Sequence, residues 1–222
     1  MNKTTILVLC DDLWHPAEVI ERGLNALPQE RYVFEIVKTA KDILTPDFLN
    51  RFPAVICCKS NCINLGNHDP WFEDGVTEVM PDDLRYYVEA GHGFVSLHSG
   101  LVYGPQNRPD FAALTGAAFL GHPPRCSVQF HVADPSHPVA CGVENFIARD
   151  EHYMMNVTAQ DVSIFLTSSS EKGGTQAAGY TREIGNGRFC ALTPGHTLDV
   201  WEHSQFQRLL LNALSWCLRE EA

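Results

Sequence analysis

The sequence predicts an α/β protein in which helices flank a mostly parallel sheet. Short apolar runs alternate with helical segments through the first half of the chain, and parallel strands require crossovers of this kind. The apolar run 93–97 is followed at once by His98, Ser99 and Gly100. A buried strand delivers a polar side chain in this way to the carboxyl edge of a sheet, where open α/β folds bind their ligands.

The first half of the chain alternates four predicted strands with three predicted helices. A helix is expected over 16–27, a short one after Thr45, which can cap it, and a third from Pro81 to Gly91. Acidic residues directly after Pro81 would stabilise the start of that helix, because the N-terminal end of the helix dipole is positive. The predicted strands are the apolar runs 6–10, 33–37, 54–58 and 93–97.

The second half has a different pattern, with strands that follow one another closely. Gly185-Asn186-Gly187 is typical of the turn of a hairpin. A closing helix near 206–219 carries apolar residues at helical spacing and is expected to pack on the sheet. No repeat or linker stands out, so residues 1–222 are expected to form one domain. The predicted strands here are 126–132, 162–168, 177–182 and 188–192.

Composition and charge exclude several classes of partner. The formal net charge of −11 and the lack of a basic run argue against binding to nucleic acid. No stretch approaches the ~20 apolar residues that cross a bilayer, and Asp11 and Asp12 cut the first apolar run too short for a signal peptide. A cytoplasmic protein without a membrane partner is expected. No phosphate loop or dinucleotide fingerprint is present, so no nucleotide cofactor is expected.

The eight cysteines contain no C-x-x-C pair, which argues against a structural zinc knuckle. Several lie in apolar runs, where a thiol in a reducing compartment behaves as a small hydrophobic side chain. Cys57, Cys58 and Cys62 form the one cluster that could bind a soft metal or oxidise. The sequence leaves the role of these three residues open.

A widely spread set of segments forms one pattern over most of residues 4–218. The segments are Gly93-Phe94-Val95-Ser96-Leu97-His98-Ser99, Phe111-x-x-Leu114-x-Gly116-Ala117-x-Phe119-x-Gly121-His122-Pro123, Val132-x-Asp134-x-x-His137-Pro138-Val139, Asp150-Glu151-x-Tyr153, Gly185-x-Gly187-Arg188-Phe189, Gly195-His196, Trp201 and the helix near 209–216. In this order and spacing they resemble the ThuA-like (trehalose utilisation) family. The resemblance implies a flavodoxin-like fold similar to class I glutamine amidotransferases, and a carbohydrate such as trehalose or a related disaccharide as the substrate class.

Amidotransferase chemistry is not expected despite the implied fold. In glutamine amidotransferases the sharp turn after this strand carries a cysteine that attacks the amide. Here His98 occupies that position, and an imidazole cannot form the thioester that glutamine hydrolysis requires. Ser99 is one residue away, so its side chain should point elsewhere.

Imidazoles and one carboxylate fall at predicted strand ends or in the loops after them. His15 follows the first strand, His98 the fourth, and His196 the last, while Glu151 lies in the Asp150–Tyr153 segment. Loops that follow parallel strands meet at one edge of the sheet, so these groups are expected to converge. We expect His98, Glu151 and His196 to be the catalytic residues and to hold a divalent metal ion such as Zn²⁺.

A second interpretation uses the same residues without metal. His98 could accept a proton while Glu151 orients it, as general acid–base groups. Carbohydrate sites also use aromatic faces and hydrogen-bonding side chains. The residues expected to contact the substrate are Trp14, His15, His122, Tyr153 and Trp201.

The function predicted from sequence is an enzyme that acts on a sugar or keto-sugar. Hydrolysis, lyase cleavage and isomerisation all remain open. The alternative is a non-catalytic sugar-binding or regulatory module on the same fold. A homodimer is expected only because two-fold assembly is the commonest kind among soluble oligomers.

Overall fold

The computed structural model describes residues 3–28, 30–38, 40–61, 70–104, 106 and 108–220. Its main feature is a nine-stranded sheet that combines a parallel half with an antiparallel half. Cys62 and most of the polar loop before Trp71 lie outside the described residues.

The parallel half contains the four strands predicted early in the sequence and one from its end. The strands are β1 (Thr4–Leu9), β2 (Tyr32–Val37), β3 (Ala54–Cys57), β4 (Gly93–Leu97) and β11 (Gly187–Leu192). Their order across the sheet is β2-β1-β3-β4-β11, and each pairs in parallel with its neighbour. Residues of β1 alternate between the two faces, so Ile6 and Val8 pack in one apolar core and Leu7 and Leu9 in the other.

Helices cover both faces of this half. Thr45 caps the short helix Pro46–Leu49 as predicted, since its hydroxyl accepts a hydrogen bond from the Phe48 amide at 3.1 Å. The closing helix buries the apolar stripe predicted for it, including Phe206 and Leu210, against the sheet. The helices are α1 (Ala17–Asn25), α2 (Ala40–Ile43), α3 (Pro46–Leu49), α4 (Pro81–Glu89), α5 (Pro109–Thr115), α6 (Leu198–Trp201) and α7 (Ser204–Cys217).

The expectation of a mostly parallel sheet is too simple, because half of the strand pairs are antiparallel. The strands of this half are β6 (Cys126–Val132), β7 (Phe146–Asp150), β9 (Ser163–Ser170) and β10 (Gly174–Ile184). Beyond β11 the order continues β10-β9-β6-β7, and every one of these pairs is antiparallel. Gly185-Asn186 form the predicted hairpin turn, with Ile184 opposite Gly187. The β9–β10 and β10–β11 connections are short turns instead of helical crossovers.

The antiparallel half bends back toward the parallel half. Asp150 ends β7, four strands from β11, or about 19 Å away in a flat sheet at ~4.8 Å per strand. Its carboxylate nevertheless accepts a 2.8 Å hydrogen bond from the Gly195 amide, three residues after β11. Register shifts in β10 around Gly179 are consistent with this curvature.

A separate two-stranded sheet, β5 (Ala117–Gly121) with β8 (Met154–Val157), was not predicted. Neither was β7. The cysteines in apolar runs are buried, as predicted for small hydrophobic side chains: Cys10, Cys57 and Cys58 are buried free thiols, and burial raises the pKa of Cys57 to about 12. Within the described part of the chain, no helix combines the length and apolar character needed to cross a bilayer.

Candidate functional site

His15 is held in place by the short loop that follows β1. The Asp12 carboxylate is buried and accepts hydrogen bonds from the His15 amide at 3.0 Å and from the His15 ring Nδ1 at 2.8 Å. Its other oxygen accepts from the Ser60 amide at 3.0 Å, which connects the loops after β1 and β3. These contacts lower the pKa of Asp12 to about 2, although burial alone would raise it. Since Nδ1 donates this hydrogen bond to the carboxylate, Nδ1 carries the proton of the neutral ring and the lone pair of His15 lies on Nε2.

His98 occupies the sharp turn at the end of β4, as the sequence predicted. Its backbone has a φ of 48°, which is uncommon for a residue with a side chain, and its side chain is 2% exposed. Gly100 is needed in this turn because a Cβ there would lie 2.0 Å from the Cys57 carbonyl oxygen. His98 Nδ1 donates to the Thr193 carbonyl at 2.7 Å, so its Nε2 is also left as the lone-pair nitrogen.

Glu151 and His196 are brought together by Asp150. The buried Asp150 carboxylate accepts from the amides of Gly195 at 2.8 Å and His196 at 3.0 Å. Gly195 has a φ of 146°, and a Cβ at this position would lie 2.7 Å from the Leu97 side chain. The loop after β11 therefore requires glycine at this point in order to lie against the end of β4 and carry His196 toward Glu151.

Four side chains converge on one point in the described structure. Their ligand atoms all lie within 4.8 Å of one another. Three of these atoms are buried ring nitrogens that have no hydrogen-bond partner: His15 Nε2, His98 Nε2 and His196 Nδ1. The fourth is the Glu151 carboxylate, whose Oε2 lies 4.0, 3.5 and 3.3 Å from those nitrogens in the same order.

The electrostatics of the cluster follow from this packing. Burial alone would raise the pKa of Glu151, but His196 and His98 outweigh it and hold the pKa well below its usual range. Burial lowers the pKa of His15 despite its contact with Asp12. For His98, burial is outweighed by the nearby Glu151 and Asp150 carboxylates, and its pKa is raised. The carboxylate is thus ionised at neutral pH, and positive charge is favoured beside it.

A cavity of about 600 Å³ opens beside the cluster, within the size range of small-molecule sites. His15, Glu151 and His196 line it, whereas His98 lies beneath them. His122, at the end of β5, contributes a fourth imidazole, with Nε2 3.5 Å from Glu151 Oε2. The cluster therefore faces a space that a ligand can enter.

The aromatic residues expected at the site divide into two groups. Trp14 lines the cavity and is 68% exposed, and Tyr153 lines it with its ring stacked on His98 at 4.2 Å. Trp201, by contrast, does not line this cavity. It is 1% exposed, and its indole donates to the Gly195 carbonyl at 2.8 Å. The structure thus places Trp201 as a support beneath the loop that carries His196.

Several residues that position the site were not identified from the sequence. The sequence indicates Asp12 and Asp150 only as neighbours of His15 and Glu151, and Thr193 acts through its backbone carbonyl. For Asp12 the usable signal is an acidic residue in the short loop after the predicted strand 6–10, three residues before a histidine. No comparable signal identifies a backbone carbonyl, because every residue has one.

Comparison with solved structures gives the fold. A ThuA-like protein from Parabacteroides merdae has a TM-score of 0.75 at 18% identity, covering 98% of this chain and 90% of its own. One from Bacteroides uniformis has a TM-score of 0.70 at 19% identity, covering 97% and 91%. A cytoplasmic protein from Salmonella typhimurium has a TM-score of 0.66 at 14% identity, covering 96% and 98%. These likenesses show the α/β fold.

A search of curated proteins found no match to the sequence. The family model described as ThuA, trehalose utilisation, matches residues 8–217, which is nearly the whole chain. The chain belongs to the ThuA family.

Proposed function

We propose that this protein is an enzyme of carbohydrate utilisation that holds a divalent metal ion with His15, His98, Glu151 and His196. One observation carries the proposal: three buried ring nitrogens without hydrogen-bond partners face a single ionised carboxylate. A buried polar atom left unpaired costs free energy, on the order of 1–3 kcal/mol. A cation shared by all four groups would remove that cost at each nitrogen.

The surroundings of the cluster support a metal rather than a simple network of hydrogen bonds. Metal-binding histidines usually donate their other ring nitrogen to a carboxylate or a backbone carbonyl. His15 does so to Asp12 and His98 to Thr193. Imidazoles with one carboxylate suit Zn²⁺ and other first-row divalent ions. The ligand set now includes His15, which the sequence assigned to the substrate.

When bound, such an ion supplies Lewis acidity toward a sugar hydroxyl or carbonyl oxygen. The residues of the chain supply the remainder. His122 is exposed at the cavity wall and can exchange a proton with the substrate. Burial raises the pKa of Tyr153 well above its usual range, so it remains a neutral hydrogen-bond donor. Trp14 offers an exposed aromatic face for a sugar ring.

The substrate class rests on the family, whose description is trehalose utilisation. We therefore propose a disaccharide or its keto derivative as substrate, in the cytoplasm. The strand order β2-β1-β3-β4-β11 has the pattern 2-1-3-4-5 of flavodoxin-like sheets, which supports the amidotransferase-like fold. His98 at the nucleophile position argues against glutamine hydrolysis itself.

The metal is tested by elemental analysis of the purified full chain, before and after loading with Zn²⁺, Mn²⁺, Co²⁺ or Fe²⁺. We expect about one ion per chain, and its loss in His98→Ala and Glu151→Gln. His131→Ala is the matched control, since His131 bonds Ser169 away from the cluster. Failure to retain any of these ions, or equal retention in all variants, would refute the metal centre.

Catalysis is tested separately with a keto-disaccharide. We expect turnover by the loaded protein and little after chelation. Sugar-dependent thermal stabilisation without turnover, under any loading, would contradict the enzyme and support the binding module instead.

A further inference from the structure

Arg125 introduces a positive charge into the wall of the candidate site. It follows His122, Pro123 and Pro124 in the connection between β5 and β6, and it lines the same cavity as Glu151 and His196. The two prolines restrict the backbone of this connection. The guanidinium is therefore carried by a segment with few alternative conformations, beside the proposed metal ligands.

No acidic group at the site neutralises this guanidinium. Glu151 Oε2 is surrounded by the four imidazoles, the most distant of them at 4.0 Å. Asp12 and Asp150 are buried and their oxygens accept from loop amides and from His15. Within the described part of the chain, no carboxylate lies within 4.0 Å of Arg125, and no hydrogen-bond acceptor pairs with it.

Most other arginines of the described chain contact a carboxylate or a carbonyl oxygen, which distinguishes them from Arg125. Arg51 and Arg149 also lack such a contact, but neither lines this cavity: the Arg51 guanidinium lies over the Phe48 ring, and Arg149 is on the exposed side of β7. Arginines that contact a carboxylate or a backbone carbonyl are Arg22, Arg31, Arg85, Arg108, Arg182, Arg188, Arg208 and Arg219.

We propose that Arg125 binds a negatively charged substituent of the sugar, so that the preferred substrate is an acidic or phosphorylated carbohydrate rather than a neutral one. A guanidinium presents five N–H donors in a planar fork that matches a carboxylate or a phosphate with two parallel hydrogen bonds. The proposal deepens the function proposed above and rests on the same cavity as its binding site. It makes Arg125 a residue that determines specificity.

The test is calorimetric binding to the full chain with two matched pairs of probes. Trehalose and trehalose 6-phosphate test a phosphate, and glucose and glucuronate test a carboxylate. We expect at least one charged probe to bind ten-fold or more tightly than its neutral counterpart, and this preference to disappear in Arg125→Gln. Arg22→Gln is the matched control, because Arg22 is exposed on α1 and pairs only with Glu202 at 3.9 Å.

Each arm is repeated on chelated and metal-loaded protein, with metal content measured in the same samples. If the tighter binding of the charged probe disappears on chelation but survives in Arg125→Gln, the metal ion and not Arg125 causes it, and the proposal is overturned. Equal affinities within each pair, or no binding of either charged probe at millimolar concentration, would also overturn it. Failure of the metal centre shows in the metal content, so the two proposals can fail independently.

Discussion

The residue with the most consequence for the site, after the four proposed ligands, is Asp12. It was not among the residues chosen from sequence, yet it fixes both the backbone and the ring of His15 and connects the loops after β1 and β3. Its carboxylate makes His15 Nδ1 the donor and leaves Nε2 free toward the cluster. A residue that never reaches the cavity thus determines what His15 presents to it.

Asp12→Asn is expected to weaken metal affinity by roughly 10- to 100-fold, the usual effect of losing the acceptor behind a ligating histidine. The reason is that an amide holds the His15 ring less firmly and makes Nε2 a poorer donor to the metal. Competition with a chromogenic chelator measures the affinity.

Asp134→Asn is the control, since Asp134 is an exposed carboxylate that contacts Ser136 on a surface turn. Equal metal affinity for Asp12→Asn and the wild type would show that the Asp12 contact does not orient a ligand.

At the scale of elements, the site depends on loops whose backbone conformations few residues can adopt. The turn after β4 holds His98 at a φ of 48° and needs Gly100 close to the backbone of β3. The loop after β11 needs Gly195 at a φ of 146°. Trp201 supports this loop, because its indole N–H donates a hydrogen bond to the Gly195 carbonyl. The strand ends thus set where each ligand-bearing loop begins, and the two glycines allow these loops to approach one another.

Gly195→Ala is expected to destabilise the fold by about 1–3 kcal/mol and to reduce metal content, because the added methyl group is strained and meets Leu97 at 2.7 Å. Denaturant unfolding and elemental analysis measure the two effects.

Gly174→Ala is the control that separates the effect of backbone strain from the effect of position beside the site. Gly174 also has a left-handed φ, of 63°, but its Cβ would meet nothing within 4 Å, and it lies at the start of β10. We expect this control to lose some stability and keep its metal. Similar metal loss in both variants would refute the role assigned to the Gly195 loop.

Considered as a whole, the molecule draws its proposed ligands from four distant parts of the chain. His15 follows β1, His98 ends β4, Glu151 follows β7 and His196 follows β11. An unfolded chain cannot hold these groups together, so an ion bound by all four binds the folded state selectively. Metal binding and global stability are consequently coupled.

Metal at about 100 times its Kd is expected to stabilise the fold by about 2.7 kcal/mol, which raises the Tm of a protein of this size by roughly 5–10 °C. Thermal unfolding of chelated and reloaded protein measures the difference. Glu151→Gln serves as the comparison and should show a much smaller shift. If the variant is stabilised as strongly as the wild type, the ion binds elsewhere.

The sequence by itself determined the first four strands of the parallel half and the types of residue at the site. Alternating apolar runs and helical segments predict β1 to β4, and the abrupt end of one run at His98 indicates the edge of the sheet where a ligand binds. These signals are local, since they depend on spacing within about ten residues and on the preferences of proline, threonine and glycine at element ends.

Only the tertiary structure decided which side chains meet. The curvature of the antiparallel half brings Asp150 and Glu151 back to the end of β11, although the sheet order separates them by four strands. The same packing draws His15 in among the proposed ligands and places Trp201 beneath the site. Strand order and curvature arise from contacts between residues far apart in the chain, and no local pattern in the sequence specifies them.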